Sequence, residues 1–384
     1  MVVSLPLSKT RYSSDSILPT RPTIGILNVK DLPVYTEEST EKLQNLKTFT
    51  IPNNFNKPIL LDYTRLEIAE EDHHLPVQQL EKKYKDRIDT LVKEYLSQIN
   101  GLFLLGDPKD IPPELFNQEK HPEAKIARPP QRTLFMRRLL RLSTECYITP
   151  ALNICGSHQQ YGVLENMSMH QHLPDVVPHP DDGGIDHCRS DLKHVFVHKI
   201  TVKPPSPEGG CAFYGILAPK ARPPYGPLQI DVNSTHHQGV NFNNLPKSII
   251  VTGLADDNTL ESMETKANLP LTSVQFHPET IRRKDLNKKR TLVDRDFEHD
   301  DETGKDFLKV DGVKFELPDD PKYYIQQRII EDLIVKAHAH HAKKWCMREL
   351  NELALENPEE PHLSFSQKVL KPLANKENIF IFNR

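Results

Sequence analysis

Short, mostly apolar runs alternate along this chain with stretches in which apolar residues recur every three or four positions. Residues 24–29, with one asparagine, and the wholly apolar residues 102–105 are runs of strand length. Residues 77–98 between them place one apolar face on a helix. The recurring positions are Leu80, Tyr84, Ile88, Leu91 and Tyr95. Buried parallel strands are apolar on both faces and are joined by helices, so the alternation predicts an α/β fold.

The same pattern continues towards the carboxyl end. Strands are predicted at 59–63, 148–154 and 194–200, and a strand pair at 247–252 and 260–264. Helices are predicted at 131–146, 156–166 and 322–350. The first of these helices is rich in Leu and Arg, and we expect its basic face to be solvated. Right-handed crossovers between such elements give a doubly wound, mostly parallel sheet flanked by helices.

The expected organisation is one large domain with additions. Residues 1–20 are predicted to be a flexible arm, and residues 21–350 the domain itself. Within it, 281–322 is highly charged and is interpreted as an insertion with a small hairpin near 307–316. The final helix, 322–350, precedes a tail at 351–384. Its apolar end is expected to dock on the body or on a second subunit.

Cys155 is the first residue that indicates chemistry. The apolar run Ala151–Ile154 leads into it, and the small residues Gly156 and Ser157 follow. This is typical of a sharp strand-to-helix turn that holds a nucleophile in a strained conformation. A thiol placed there lies at the positive end of a helix, which favours its anion. A lone cysteine after an apolar run is, however, more often a small buried residue.

A candidate base for this thiol follows a second predicted strand. Residues 271–276 form that short strand, and His277, Pro278 and Glu279 come directly after it. Proline restrains its own backbone and that of the residue before it, so the direction of His277 is defined. Cys155 as nucleophile, His277 as base and Glu279 as the group that orients the imidazole form the pattern of covalent catalysis.

Several segments, in the same order, resemble class I glutamine amidotransferases, and most of all the γ-glutamyl-γ-aminobutyrate hydrolase family, peptidase family C26. They are PTIGILNV at 22–29, NGLFLLGDPKDIPPELF at 100–116, ALNICGSHQ at 151–159, DVNSTHHQGV at 231–240 and VQFHPE at 274–279. The last two resemble the motifs V-N-S-x-H-x-Q and V-Q-x-H-P-E. The resemblance spans about residues 20–280 and implies a flavodoxin-like fold.

The resemblance also implies roles for individual residues. The backbone N–H groups of Gly106 and Gly156 would stabilise an oxyanion. Gln159, together with Asn233, Ser234 and His236, would bind the glutamyl part of a substrate. The chain departs from the family at the elbow, where Asn153 replaces a usual glycine and Gly156-Ser157 replaces arginine-glycine. Acidic residues usual in the preceding helix are missing from 132–136.

Histidines at 170, 172, 179, 187, 194 and 198, with Cys188 among them, suggest a metal site at first sight. Their spacing matches no standard zinc pattern, so we expect polar loop histidines, no metal and no cofactor.

The five cysteines contain no C-x-x-C pair, which argues against a disulfide scaffold and favours a reducing compartment. A net charge of −4 favours neither nucleic acid nor an anionic membrane.

These features predict a hydrolase of γ-glutamyl amides that works through a Cys-His-Glu triad and a thioester. One alternative is a glutaminase subunit that delivers ammonia to a synthetase. Another is a catalytically weak interaction protein of the same fold. The expected partner is a small γ-glutamyl amide or glutamine, with a homodimer and a protein partner for the C-terminal additions left open. No signal peptide or membrane span is evident, so a cytoplasmic location is expected.

Overall fold

A computed structural model describes most of the chain. The described residues are 22–30, 32–45, 57–178, 180–189, 192–206, 211–218, 223–266, 269–281, 297–300, 305–310, 313–316 and 320–356.

A nine-stranded sheet forms the centre of the structure, in the order β2-β1-β3-β4-β11-β10-β9-β6-β7. Its strands are β1 Thr23–Leu27, β2 Lys57–Leu61, β3 Gly101–Leu104, β4 Ala151–Ile154, β6 His198–Val202, β7 Leu228–Val232, β9 Ile249–Ala255, β10 Leu260–Thr265 and β11 Leu271–Val274. The first five strands in this order run parallel to one another. The remaining pairings are antiparallel, so that only β10 and β6 run against the other seven. The short strands β5 Ser168–His170 and β8 Gly239–Asn241 pair beside this sheet.

Helices cover both faces of the sheet. They are α1 Pro33–Asn45, α2 Val77–Lys83, α3 Lys85–Gln98, α4 Gln131–Leu142, α5 Gly156–Leu164, α6 Cys211–Leu217 and α7 Asp320–Glu356. The alternation along β3 fills both cores: Leu102 and Leu104 face the side of α3 and α4, whereas Phe103 and Leu105 face the side of α6 and α7. The predicted α/β fold with a mostly parallel sheet is thus confirmed.

Two helix predictions differ from the structure. The helix expected over 77–98 is broken at Tyr84, whose hydroxyl donates to the buried carboxylate of Asp72 at 2.6 Å. The basic face of α4, predicted to be solvated, is only partly so. Arg137 and Arg138 pair with Glu81 and Asp89 of the neighbouring helices and are half-buried, whereas Arg141 is exposed.

The C-terminal additions have regular structure where they are described. The charged insertion contains a three-stranded antiparallel sheet of β12 Phe297–Asp300, β13 Lys305–Val310 and β14 Val313–Glu316. Helix α7 extends to Glu356, six residues past its predicted end. The arm at 1–20 and residues 357–384 of the tail lie outside the described residues. None of the described helices combines the length and apolar character needed to cross a bilayer.

Candidate active site

Four parallel strands that are adjacent in the sheet end at one edge, and each delivers a residue there. Tyr35 follows β1, Gly106 follows β3, Cys155 follows β4 and His277 follows β11. Ligands of such sheets bind beyond the carboxyl ends of the strands. The strand order therefore brings together residues from four distant segments of the chain.

Cys155 has the backbone of a nucleophile elbow. Its φ of 52° and ψ of −111° lie where a side chain is strained, and α5 begins at the next residue. A Cβ atom at Gly156 would lie 3.1 Å from the backbone nitrogen of Asp107, so the elbow packs closely against the turn after β3. Ser157, where the family has glycine, accepts from the N–H of Ile154 at 2.9 Å and donates to the carbonyl of Leu104. The altered elbow is thus tied to both β3 and β4.

Gly106 lies against both the nucleophile and the base. A Cβ atom at this position would be 3.2 Å from Cε1 of His277, 3.2 Å from Cβ of Cys155 and 3.6 Å from its Sγ. Any side chain here would fill the space where a carbonyl must meet the thiol. The backbone of Gly106 therefore forms one wall of the reacting centre, although its role as an oxyanion donor stays a prediction.

His277, Glu279 and Tyr35 form a buried chain of hydrogen bonds. Nδ1 of His277 lies 2.7 Å from Oε1 of Glu279, which also accepts from the Tyr35 hydroxyl at 2.5 Å. Burial disfavours the imidazolium, but the charges of Glu279 and Cys155 outweigh it and raise the pKa of His277 to about 10. Burial and the Glu279 charge raise the pKa of Tyr35 well above 10, so this phenol remains a donor.

The second ring nitrogen of His277 is available to the thiol. Its Nε2 has no nitrogen or oxygen partner among the residues that the structure describes, and the Cys155 sulfur contributes to the raised pKa of the ring. Burial would raise the pKa of Glu279, but His277 and Tyr35 together hold it below 4.5. The arrangement places an imidazole that favours its protonated form beside the thiol, with an ionised carboxylate behind it.

Asn233 holds the backbone of His277 rather than facing the cleft. Its Oδ1 accepts from the N–H of His277 at 2.9 Å, and its Nδ2 donates to the carbonyl of the same residue at 3.0 Å. Nδ2 also lies 2.7 Å from the hydroxyl of Thr280. The side chain is fully buried, so it affects His277 by fixing the position of its backbone. Contact of Asn233 with a substrate stays a prediction.

The other three predicted binding residues are also buried. Gln159 donates to the carbonyl of Gln238 at 2.9 Å and to Oε1 of Gln275 at 3.1 Å. Nε2 of His236 lies 3.6 Å from Oε1 of Glu261 on β10, and Oγ of Ser234 lies 3.2 Å from Nδ1 of His187. A role in substrate binding is untested for all three, and their hydrogen bonds indicate support of the site from behind.

The reacting centre opens into a cleft of about 600 Å³. Cys155, His277 and Thr235 are among the residues that line it, as are Lys125 and Lys193. Lysines in the lining suit a ligand that carries a carboxylate. Thr235 is the member of the 233–236 segment that reaches this cleft.

Arg132 braces the turn that carries Gly106. It is buried, donates to Oδ2 of Asp107 at 2.7 Å, and donates to the carbonyls of Leu105 and Gly106 at 2.8 and 3.0 Å. The sequence showed the absence of the family's acidic residues in this helix, and the structure shows an arginine bound to backbone carbonyls and Asp107 instead. Arg132 is therefore a positioning residue for the wall of the reacting centre.

Replacing Arg132 with methionine should lower the free energy of unfolding by about 3 kcal/mol, because it leaves the Asp107 carboxylate without its partner. Arg141→Met is the matched control on the same helix. Arg141 is exposed and lies 3.9 Å from Glu145, so its loss should cost under about 1 kcal/mol. Urea unfolding measures both values. Equal effects of the two variants would contradict the role assigned to Arg132.

Tyr35 and Arg132 were missed as site residues by sequence reasoning. Tyr35 lies in a proline-punctuated polar stretch with no motif. Its signal is position alone, since the segment directly follows β1 at the edge where parallel strands end. Of the histidines expected to be scattered in loops, His187 and His198 instead meet His236 at the side chain of Glu261. His179 lies outside the described residues.

Several known proteins are similar to this chain. The model of the Peptidase C26 family matches residues 75–279, a span that contains Cys155, His277 and Glu279. A Rickettsia prowazekii protein described as glutamine amidotransferase-like is 24% identical over 223 residues, covering 50% of this chain and 74% of the relative. A γ-glutamyl-γ-aminobutyrate hydrolase of Escherichia coli O157:H7 is 25% identical over 194 residues, covering 50% and 68%.

A solved structure of a glutamine amidotransferase from Methylobacillus flagellatus is also similar to this chain. It is 11% identical, with a TM-score of 0.39, and the match covers 84% of this chain and 95% of that one. The family model spans more than half of the present sequence. The chain therefore belongs to the Peptidase C26 family.

Proposed function

We propose that this protein hydrolyses γ-glutamyl amide bonds, with Cys155 as the nucleophile, His277 as the acid and base, and Glu279 as the group that orients the imidazole. Family membership supports a role as an amide hydrolase or an amidotransferase. The observation that carries the finer proposal is the strained Cys155 at the start of α5, beside a His277–Glu279 pair at 2.7 Å.

In the first half of the reaction, the Cys155 thiolate attacks the γ-carbonyl carbon and forms a C–S bond. The carbonyl electron pair moves to oxygen, and the backbone N–H groups of Gly106 and Gly156 stabilise the resulting oxyanion. When the oxyanion collapses, the C–N bond breaks and His277 gives its proton to the leaving amine. The product is a γ-glutamyl thioester on Cys155 and a free amine.

In the second half, water replaces the amine in the cleft. His277, now neutral, takes a proton from the water as it attacks the thioester carbonyl. Collapse of the second oxyanion breaks the C–S bond and releases glutamate, which restores the thiolate–imidazolium pair. Glu279 holds the ring in one orientation through both halves, and Tyr35 holds Glu279 by its hydrogen bond.

The cleft suggests how the glutamyl part is held. Its α-carboxylate is attracted by Lys193 and Lys125, which line the cleft together with Thr235. The remaining predicted residues, Gln159, Asn233, Ser234 and His236, support the cleft from behind. In this arrangement only Thr235 of the segment 233–236, which resembles a binding motif, lines the cleft.

The test compares two isomeric substrates. Purified protein is incubated with γ-glutamyl-p-nitroanilide and with α-glutamyl-p-nitroanilide, which differ only in the carboxyl group that forms the amide. Release of p-nitroaniline from the γ isomer alone supports the proposal. Ammonia from glutamine, without release from either anilide, would favour the glutaminase alternative. Absence of all turnover, with no labelling of Cys155 by a glutamine-like electrophile, would overturn both.

A further inference from the structure

Three histidines converge on one buried carboxylate next to the proposed active site. His187 Nδ1, His236 Nε2 and His198 Nε2 lie 3.5, 3.6 and 3.7 Å from Oε1 of Glu261. The ligand atoms of His187, His198 and Glu261 all lie within 4.8 Å of one another. Three potential ligands therefore lie close together, and His236 approaches the same carboxylate oxygen from a further segment of the chain.

These side chains lack the partners that burial demands. Glu261 is fully buried, and neither of its carboxylate oxygens has a hydrogen-bond partner within the described part of the chain. The same holds for Nε2 of His198 and of His236. The distances of 3.5–3.7 Å are too long for hydrogen bonds between these groups. A buried carboxylate with no hydrogen bond is costly, so a positive group at this point would stabilise the cluster.

The histidine nitrogens that face away from Glu261 have acceptor partners, so they carry the ring proton. The nitrogens that face Glu261 therefore present lone pairs. Nδ1 of His236 lies 2.9 Å from the carbonyl of Gln238, and Nδ1 of His198 lies 3.1 Å from the carbonyl of Lys199. A carbonyl only accepts, so each of these nitrogens carries the proton and the Nε2 atoms do not. In the same way, Nε2 of His187 donates to Asp257 at 2.8 Å. The Ser234 hydroxyl also lies 3.2 Å from Nδ1 of His187.

Without a cation, the Nε2 lone pairs of His198 and His236 would point at a carboxylate. A histidine that donates its outer N–H to a carboxylate or a carbonyl is the usual state of a metal ligand. Zinc ligands at about 2.0–2.2 Å in a tetrahedron lie roughly 3.3–3.6 Å apart, close to the 3.5–3.7 Å between the histidine nitrogens and Oε1 of Glu261. Imidazole nitrogens with one carboxylate oxygen are ligands that zinc accepts.

We propose that His187, His198, His236 and Glu261 form a binding site for a zinc ion. A cavity of about 120 Å³, bordered by His187 and His236, gives the ion a path from the surface. With four protein ligands the site is closed, which is typical of a structural rather than a catalytic zinc. The ion would fix the 233–236 segment, and Asn233 of that segment holds the backbone of His277.

The test measures metal in the full chain without any substrate, so its result does not depend on the proposed hydrolysis. Untagged protein is produced in zinc-supplemented medium, and bound metal is measured by mass spectrometry. We expect one zinc per chain. After removal by a chelator, added Co²⁺ should give the visible absorption of a tetrahedral site, and added Zn²⁺ should raise the unfolding temperature and displace the Co²⁺ signal.

Substitutions distinguish zinc bound at Glu261 from zinc bound by other histidines of the chain. Glu261→Gln keeps the shape of the side chain and should hold less than about one tenth of a zinc. Asp257→Asn, which loosens an outer contact, should bind zinc about 10- to 100-fold more weakly. The control His172→Gln removes a histidine of a different cluster, which stacks on His121, and should keep the metal.

Two results would overturn the proposal. One is wild-type protein with no bound zinc, no cobalt spectrum and no stabilisation by Zn²⁺, which would mean that protons shared among the histidines neutralise Glu261. The other is zinc that remains in Glu261→Gln, which would place the metal elsewhere. If Glu261→Gln does not fold, the cobalt spectrum and the stabilisation of the wild-type chain decide the question.

Discussion

Replacing Cys155 with alanine is expected to reduce γ-glutamyl amide hydrolysis by on the order of 10⁵- to 10⁶-fold, because no other group forms the thioester. The fold should survive, since Cys155 packs as a small side chain between β4 and α5. The measurement is release of p-nitroaniline from γ-glutamyl-p-nitroanilide. Cys146→Ala is the control, because Cys146 is an exposed free cysteine and should leave the rate unchanged.

The strain at Cys155 gives the same experiment a second readout. At a φ of 52° and a ψ of −111°, alanine retains the strain of cysteine, whereas glycine relieves it. Cys155→Gly and Cys155→Ala should therefore be equally inactive, yet the glycine variant should be more stable by about 1–2 kcal/mol after the larger entropy of its unfolded chain is counted. Urea unfolding compares the two variants. Residual activity in Cys155→Ala, or greater stability of the alanine variant, would contradict a strained nucleophile.

The sequence predicted the parts of this structure that depend on local pattern. The apolar run before Cys155 and the small residues after it are all within ten positions, so the elbow is a local feature. The strand before His277 is local in the same way. Both strands are central in the sheet, and their parallel pairing, Ser273 opposite Asn153, places the thiol and the imidazole at one edge. The pairing of β9 with β10 was likewise predicted and is confirmed.

The rest of the site depends on contacts between distant segments, which no local pattern encodes. Tyr35 reaches Glu279 across 244 positions of the chain. Asn233 belongs to a motif that resembles a binding segment, but only the fold shows that its amide is used by the backbone of His277. The histidines at 187, 198 and 236 match no zinc spacing because their ligand geometry comes from four segments that meet at β10.

Replacing Glu279 with glutamine is expected to lower the rate of γ-glutamyl hydrolysis on the order of 10³- to 10⁴-fold, as loss of the orienting carboxylate does in triads of this kind. The amide still contacts the ring but carries no charge. Burial then dominates, so the pKa of His277 should fall from about 10 towards or below its ordinary value. The alkaline limb of the pH–rate profile should move to lower pH with it. Tyr35→Phe keeps the Glu279 charge and should leave that limb nearly in place, with a smaller loss of rate.

Stability against pH tests the same charge pair without substrate. The pKa of His277 is raised in the folded chain, so its contribution is fully present below about pH 6.5 and is lost as the pH rises through about 10. The wild-type advantage over Glu279→Gln should thus be largest near pH 6.5. It should shrink towards pH 10 by at most about 1.4 kcal/mol per pH unit. Urea unfolding of both proteins across this range gives the difference. A difference that does not change with pH would show that Glu279 supports the site by packing alone, without charging His277.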